Sequence, residues 1–442
     1  MDTGRRRVRH IAIIGSGPSG FYAAEAALKA FGAEVQIDIV DRLLTPYGLI
    51  RAGVAPDHQS IKAVARRYEA VARDPRVAFI GGVEVGRDVS LEELRTFYDD
   101  VVLAVGAPED RRLGIPGEEL PGVFGSGAFV GWYNGHPDFA RLTPPLDTPG
   151  VAIVGNGNVA IDCARVLAKT VDELADSDIA AHALSALAGS AVRDVHILGR
   201  RGPYQASFTL KEVGELGELA RATPVVRPAD LPDPAGDAAL ETGQRRVVEV
   251  LRRFATAGPD PAKPVRIHFD FFHRPVRILG SDRVEGVEVA LTRVDQEGHA
   301  VDTGERRIVP CGLVIAAIGY RSLPIAGAAF DSRAGRFAND DGRIDAGLWC
   351  VGWAKRGPSG TIGTNRPDGF AVIDRIRAEG VPAAGKAGRA GLLAALAERG
   401  VRPSCFADWE AIDRAEIAAA RPGAPREKIV DMAELRALCS AS

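Results

Sequence analysis

Twice in this chain a short apolar run ends in glycines and passes directly into a helical pattern, and this constrains the fold more than any other feature. The first instance is Ile11–Ile14, then Gly15-Ser16-Gly17-Pro18-Ser19-Gly20, then a helical stretch over Phe21–Phe31. In the G-x-G-x-x-G pattern, Gly15 permits the tight turn. Gly17 lets a pyrophosphate approach the backbone, and Gly20 lets helix and strand pack closely. Pro18 suits the first helical turn, which needs no N–H there. Phosphates would rest on the helix N-terminus, where unpaired N–H groups and the dipole favour negative charge. The next strand, Val35–Val40, ends at Asp41, 21 residues after Gly20. A carboxylate at that distance is placed to hold ribose hydroxyls.

The second instance is Val151–Val154, Gly155-Asn156-Gly157-Asn158-Val159-Ala160 and a helix over Asn158–Thr170, with Ala160 replacing the third glycine. Its following strand, Val195–Leu198, ends in Gly199-Arg200-Arg201, with no carboxylate. A guanidinium pair at that edge suits a 2′-phosphate and leaves no acceptor for a free ribose hydroxyl. One chain with two dinucleotide sites of opposite charge preference fits a flavin held permanently and a nicotinamide that comes and goes.

The remaining apolar runs, Val101–Val105 and Leu313–Ile318, complete the expectation of an α/β fold with two doubly wound, Rossmann-like units. A length of 442 residues suits two or three domains. Gly106–Pro149 and Gly319–Gly342 read as loop-rich seams, Ala222–Gly243 as a surface loop and His268–Thr292 as an antiparallel meander. Residues 171–192 read as a helical insertion, Ala384–Gly400 as a linker into a terminal helix from Leu392, and residues 1–8 as a frayed tail. Lys+Arg 55 against Asp+Glu 58 excludes whole-protein attraction to nucleic acid or an anionic membrane. Only 8 of those basic residues are Lys, so an Arg excess by itself is no functional signal. Cys163, Cys311, Cys350, Cys405 and Cys439 include no C-x-x-C pair, which argues against a disulfide framework, an iron–sulfur or zinc site and a dithiol redox centre. No metal is expected, and reduced thiols in a cytoplasmic protein are. No run reaches 18 apolar residues, so no membrane span is expected.

Four longer blocks carry a resemblance. They are Pro46-Tyr-Gly-Leu-Ile-Arg-Ala-Gly-Val-Ala-Pro-Asp-His58, Gly155–Asp162, Gly199-Arg-Arg-Gly-Pro-Tyr-Gln-Ala-Ser-Phe-Thr-Leu-Lys-Glu212, and Val351-Gly-Trp-Ala-Lys-Arg-Gly-Pro-Ser-Gly-Thr-Ile362. With them the chain resembles the adrenodoxin reductase-type ferredoxin–NADP reductases in their bacterial form, from about Arg9 to Gly380. The resemblance implies an FAD domain (1–108 and 321–442, with a C-terminal helical extension) interrupted by an NADP domain (109–320). It implies FAD contacts at the first turn and at Ser19, Asp41, Leu49, Val85, Trp353, Gly360, Thr361 and Ile362. It implies NADP contacts at Asn156, Gly157, Asn158, Val159, Arg200, Arg201, Glu212 and Gly360, with His58 and Glu215 near the nicotinamide.

The family usually has Glu where this chain has Asp41. Trp132 and Trp349 are read as core; Pro367 is not expected within a helix and is compatible with one only in its first turn. The implied activity is hydride transfer between NADPH and FAD, then single electrons to an acidic ferredoxin-type iron–sulfur protein, by a monomer. Lys211, Lys355 and Arg356 are expected to face that partner, although Gly214 stands where relatives carry Arg. Two alternatives stay open at this point. One is an FAD/NADPH donor to a non-ferredoxin acceptor, a quinone or a synthase partner; the other is a nucleotide-binding protein without turnover.

Overall fold

The computed structural model describes residues 7–380 and 385–439. The first body opens with strands β1 (Arg9–Ile14), β2 (Val35–Asp41), β3 (Val77–Gly81) and β4 (Asp100–Leu103). All are parallel, with Ile11 opposite Ile37 and Asp100. Their runs are apolar on both sides because both faces are covered. Ile11, Ile13, Ile37 and Ile39 enter one core cluster, and Ala12, Ile14 and Val40 enter the cluster on the opposite face.

The chain leaves through the short β5 (Glu109–Asp110) and builds a second sheet from β6 (Val123–Gly125), β7 (Gly150–Val154), β8 (Asp194–Gly199), β9 (Ala222–Val226) and β10 (Val265–Phe271). A three-stranded antiparallel sheet, β11 (His273–Leu279), β12 (Gly286–Val294) and β13 (Ala300–Pro310), follows. It covers one face of the second sheet, where Ile278, Val287 and Val309 pack against Ala152, Val154 and Leu198. Then β14 (Leu313–Ala316) inserts between β6 and β7. The return runs through β15 (Tyr320–Arg321), antiparallel to β5, and a small hairpin, β16 (Phe330–Asp331) with β17 (Arg336–Phe337). Finally β18 (Arg343–Asp345) and β19 (Leu348–Cys350) complete the first sheet, in the order β18-β19-β4-β1-β2-β3. The second sheet runs β6-β14-β7-β8-β10-β9.

Four readings of the sequence are corrected. Ala222–Val226 is a strand, not loop, and Pro224 is tolerated because β9 lies at the sheet edge. The first part of the expected meander is β10, parallel to both β8 and β9; only β11 onward is antiparallel. The Gly106–Pro149 seam contains the helix Ser126–Tyr133, whose Phe129, Trp132 and Tyr133 are core. The C-terminal extension holds three helices, Arg389–Glu398, Phe406–Ala418 and Met432–Leu438, rather than one. The expected tail lies outside the described residues for positions 1–6, as does Ala384. Trp349 is fully buried in the first core, and Pro367 stands in the first turn of the helix Asn365–Ala378.

The extension is bound tightly to the rest. Ser404 exchanges two backbone hydrogen bonds with Gly81 at the edge of the first sheet. Further on, four chain segments meet in a buried polar node. The ammonium of Lys62 donates to both oxygens of Asp178, at 2.7 and 2.9 Å, and Lys428 reaches the same carboxylate at 3.1 Å. Both ammonium groups also donate to Asn134 Oδ1, whose own amide donates to the Val54 carbonyl. Next to the node, Arg51 holds the fully buried Glu416 in a two-pronged pair.

Candidate active site

At the first turn, Gly15 has φ +109°, and a Cβ there would meet the Ala104 carbonyl oxygen at 2.5 Å. Only glycine fits this position. Gly17 faces open space instead: a Cβ on it would meet nothing within 4 Å, and the same holds for Gly157 in the second turn. Each turn therefore pairs a crowded glycine with an open one above a helix start, the shape a pyrophosphate needs. The helices begin at Pro18 and Asn158.

Residues far apart in sequence close around the first turn. Gly48, φ +48°, leaves so little room that a Cβ would lie 3.0 Å from Gly17 Cα; Leu49 follows it, about half exposed. A Cβ on Gly352 would overlap Ser19 Oγ at 1.9 Å. The Gly352 N–H donates to Asp368, which also accepts from Arg356. Gly360, Thr361 and Ile362 precede the helix Asn365–Ala378, and the Thr361 carbonyl accepts from Thr364. Trp353 is half-buried and stacks on Tyr320, with ring centroids 5.9 Å apart. Val85 is also half-buried, beside Val89 beyond β3. Asp41 has a tighter local role than its position predicts. Its Oδ2 accepts from Ser16 N at 2.8 Å and Ser16 Oγ at 2.5 Å, and its Oδ1 from Leu43 N at 2.9 Å. The carboxylate braces the turn, and three of its roughly four acceptor positions are occupied.

At the second turn, Asn158 Oδ1 accepts from Thr209 N and the Asn156 carbonyl from Ser207 N, which ties the 207–209 loop to the helix start. Arg200 is exposed and Arg201 half-buried. Among the described residues neither has an ion pair or a side-chain hydrogen bond, in a chain where most arginines are paired. Their charges remain available at the end of β8.

His58 joins the two bodies. Its Nε2 lies 2.9 Å from Glu215 Oε2 and 3.7 Å from Glu212 Oε2, across 157 residues of sequence in the closer case. The resemblance implied His58 and Glu215 as a pair and Glu212 as a separate NADP contact; the structure brings the three side chains into one cluster. The surrounding charges escaped the sequence reading. Arg165, 1% exposed, donates from Nε and Nη2 to Asp57 at 2.8 and 3.0 Å. Its Nη1 lies 2.7 Å from Asp162, 3.2 Å from Glu215 and 3.4 Å from Glu212. Lys169 adds a second cation to Asp57 at 2.8 Å. Despite burial, the Arg165 and Lys169 bonds hold the Asp57 carboxyl far below the usual carboxylate range. Burial pushes Asp162 up to about 6, against the pull of Arg165. The ligand atoms of His58, Glu212 and Glu215 all lie within 4.8 Å, a spacing a cation could bridge. Arg165 already supplies positive charge to both carboxylates.

Two of the basic residues expected to face a partner are otherwise engaged. Lys355 pairs with Asp341 and Asp368, and Arg356 with Asp368 and Asn365. Lys211 is exposed, 3.8 Å from Glu215. No helix among the described residues is long and apolar enough to cross a membrane.

Comparison with known proteins agrees with this arrangement. The family model for pyridine nucleotide-disulphide oxidoreductases matches residues 9–202, a span that takes in both glycine turns and Arg200-Arg201. Human mitochondrial NADPH:adrenodoxin oxidoreductase is 42% identical over 98% of this chain and 92% of its own length. The NADPH-ferredoxin reductase FprA of Mycobacterium leprae is 41% identical, over 97% of this chain and 98% of its own. The structure of Mycobacterium tuberculosis FprA in complex with NADPH superimposes with a TM-score of 0.93 at 40% identity, covering 98% of this chain and 99% of that one. With two strand–turn–helix units on separate sheets and a His58–Glu215 contact between them, the chain belongs to the adrenodoxin reductase and FprA family of NADPH-dependent oxidoreductases.

Proposed function

We propose that this chain is an FAD-dependent NADPH–ferredoxin reductase, with residues 1–108 and 321–442 holding FAD and 109–320 holding NADP. The observation that carries the reading is the contrast between the two turns. Both open a helix at a glycine with open space in front of it, but only the second ends its neighbouring strand in two arginines that have no ion pair among the described residues. An adenylate with a free ribose suits the first and a 2′-phosphate the second. In this reading Gly15, Gly17, Pro18, Ser19, Gly20, Asp41, Leu49, Val85, Trp353, Gly360, Thr361 and Ile362 contact FAD. Asn156, Gly157, Asn158, Val159, Arg200, Arg201, Glu212 and Gly360 contact NADP.

A bound flavin supplies the conversion of a two-electron hydride from NADPH into single electrons for an iron–sulfur protein. The protein's part is alignment. The reacting rings must meet within roughly 3–3.5 Å, and small misplacements cost about a hundredfold. The Trp353–Tyr320 stack offers a flat wall, and His58 with Glu215 orients the nicotinamide and holds a proton at the imidazole–carboxylate pair. The acceptor follows from the relatives, whose names specify adrenodoxin and ferredoxin. With Lys355 and Arg356 paired internally, acceptor docking rests on other surface cations.

The test is direct. Purified holoprotein should be yellow and bleach with NADPH under anaerobic conditions, then pass electrons one at a time to a ferredoxin of its host. Bleaching with transfer only to a quinone would move the activity to a different acceptor class. A colourless protein that cannot be reconstituted with FAD would defeat the reading.

A further inference from the structure

We propose that Arg165 is a positioning residue that fixes the geometry and charge balance of the His58–Glu215 contact from beneath. The inference rests on the function proposed above and deepens it at the same site. His58 belongs to the first body, and its loop neighbour Asp57 is gripped by the two-pronged Arg165 bond. Glu212 and Glu215 belong to the helix Leu210–Glu215 of the second body, and Arg165 touches both. Arg165 itself stands on the helix Asn158–Ala168 that opens under the second glycine turn. One planar guanidinium therefore links the nucleotide-binding helix, the histidine loop and the glutamate helix. Lys could supply the charge but not the fork.

The charges make the role specific. Asp57, Asp162, Glu212 and Glu215 face this guanidinium, with Lys169 on Asp57 and Lys211 at the rim of Glu215. Four carboxylates face three cations and the His58 imidazole, with the buried Tyr133 hydroxyl and Cys163 thiol beside Asp162, and two of the cations lie at the periphery. Without Arg165 the carboxylates would repel one another at close range and bind a proton more tightly, with the cluster titrating as a unit. Asp162, already raised by burial to about 6, would retain its proton at neutral pH. Arg165 thus keeps the cluster charged and ordered under the nicotinamide without touching the reacting atoms.

The experiment compares wild type, Arg165→Gln and Arg165→Lys as FAD-loaded holoproteins. Infrared titration of the protonated carboxyl band needs no turnover. In Arg165→Gln, the band should persist to a pH about 1–2 units higher than in wild type. In single-turnover reduction by NADPH, the pH profile of Arg165→Gln should move upward by a similar amount. Arg165→Lys should restore the wild-type carboxyl titration while flavin reduction stays slowed about tenfold or more, because the fork is lost. Should Arg165→Gln fail to retain FAD, Arg165→Lys decides: wild-type titration with slowed reduction supports the proposal, and a wild-type rate overturns it. A wild-type carboxyl titration in Arg165→Gln would also overturn it and leave Arg165 a purely structural residue. Failure of the functional reading shows itself separately, as wild-type protein that NADPH does not bleach.

Discussion

The node of Lys62, Asp178 and Lys428 sets up a test in which two substitutions at one site should behave very differently. Two buried lysines share a single carboxylate, so charging both would leave the node with an excess positive charge, and burial lowers the pKa of both, that of Lys428 well below the ordinary lysine value. Asp178→Asn removes the carboxylate that both lysines share and leaves both amino groups buried. Breaking a buried pair in this way costs about 3–5 kcal/mol. Lys428→Met removes the group that would carry the excess charge, keeps the balanced Lys62–Asp178 pair and fills the space with an apolar chain of similar length. Such replacements are neutral or stabilising.

At about 2–4 °C per kcal/mol, Asp178→Asn should lower the melting temperature by on the order of 10 °C, and Lys428→Met by little or nothing. The double variant should recover part of the loss. Thermal scans followed by circular dichroism and by flavin release would check both. The pH dependence carries a sign. The lysines hold Asp178 near 2, below the value near 3.9 of an unfolded aspartate. A depressed carboxyl pKa stabilises fully above the unfolded value, and that stability is lost as pH falls through the folded one. The gap between wild type and Asp178→Asn should stay flat from pH 7 to about 5 and shrink between about 4 and 2. If Lys428→Met costs as much as Asp178→Asn, the charge argument is wrong and the node is held by packing alone.

Replacing both Arg200 and Arg201 by Ala should raise KM for NADPH by about two decades and leave NADH almost unchanged; this takes the low end of about 1.5 kcal/mol per charge-assisted bond because Arg200 is exposed. Equal use of both coenzymes by wild type would defeat that assignment. Asp41→Ala should loosen the first turn through Ser16 and Leu43 as well as the ribose contact, so FAD should dissociate on dilution while NADP affinity, read by calorimetry, holds. His58→Ala should slow flavin reduction by NADPH in a stopped-flow measurement more than it slows the subsequent electron step to ferredoxin; an unaltered reduction rate would return His58 to a packing role.

Much of this was legible in the sequence, for local reasons. Strand, glycine turn and helix start lie within twenty residues of one another, and each enforces a backbone geometry on the next. The C-terminal edge of β8 was equally readable, since Arg200 and Arg201 follow its last residue. The failures share a cause. Edge strand β9 looked like loop because Pro224 reads as a breaker until the strand is known to lie at the sheet edge. The helix Ser126–Tyr133 is apolar on all sides and flanked by glycines, so it shows no amphipathic period. The positions of His58 and Glu215 came from resemblance. Arg165 escaped both routes because its partners at 57, 162, 212 and 215 converge only after three elements have packed.

The strand order has a consequence for how the chain is made. Every strand of the second sheet comes from residues 123–316, whereas the first sheet needs β19 to lie against β4. On the ribosome, then, the later body can finish before the earlier one. Roughly 240 residues separate Leu103 from Leu348, so at about 5–20 residues per second β4 waits roughly 10–50 s with an unpaired edge. That edge reads Asp-Val-Val-Leu, fully buried in the finished protein, and an open apolar strand is a template for pairing with other chains. The interval before residue 350 emerges is when the nascent protein most needs a chaperone, and slowing translation between residues 320 and 350 should lower soluble yield more than slowing it after 360.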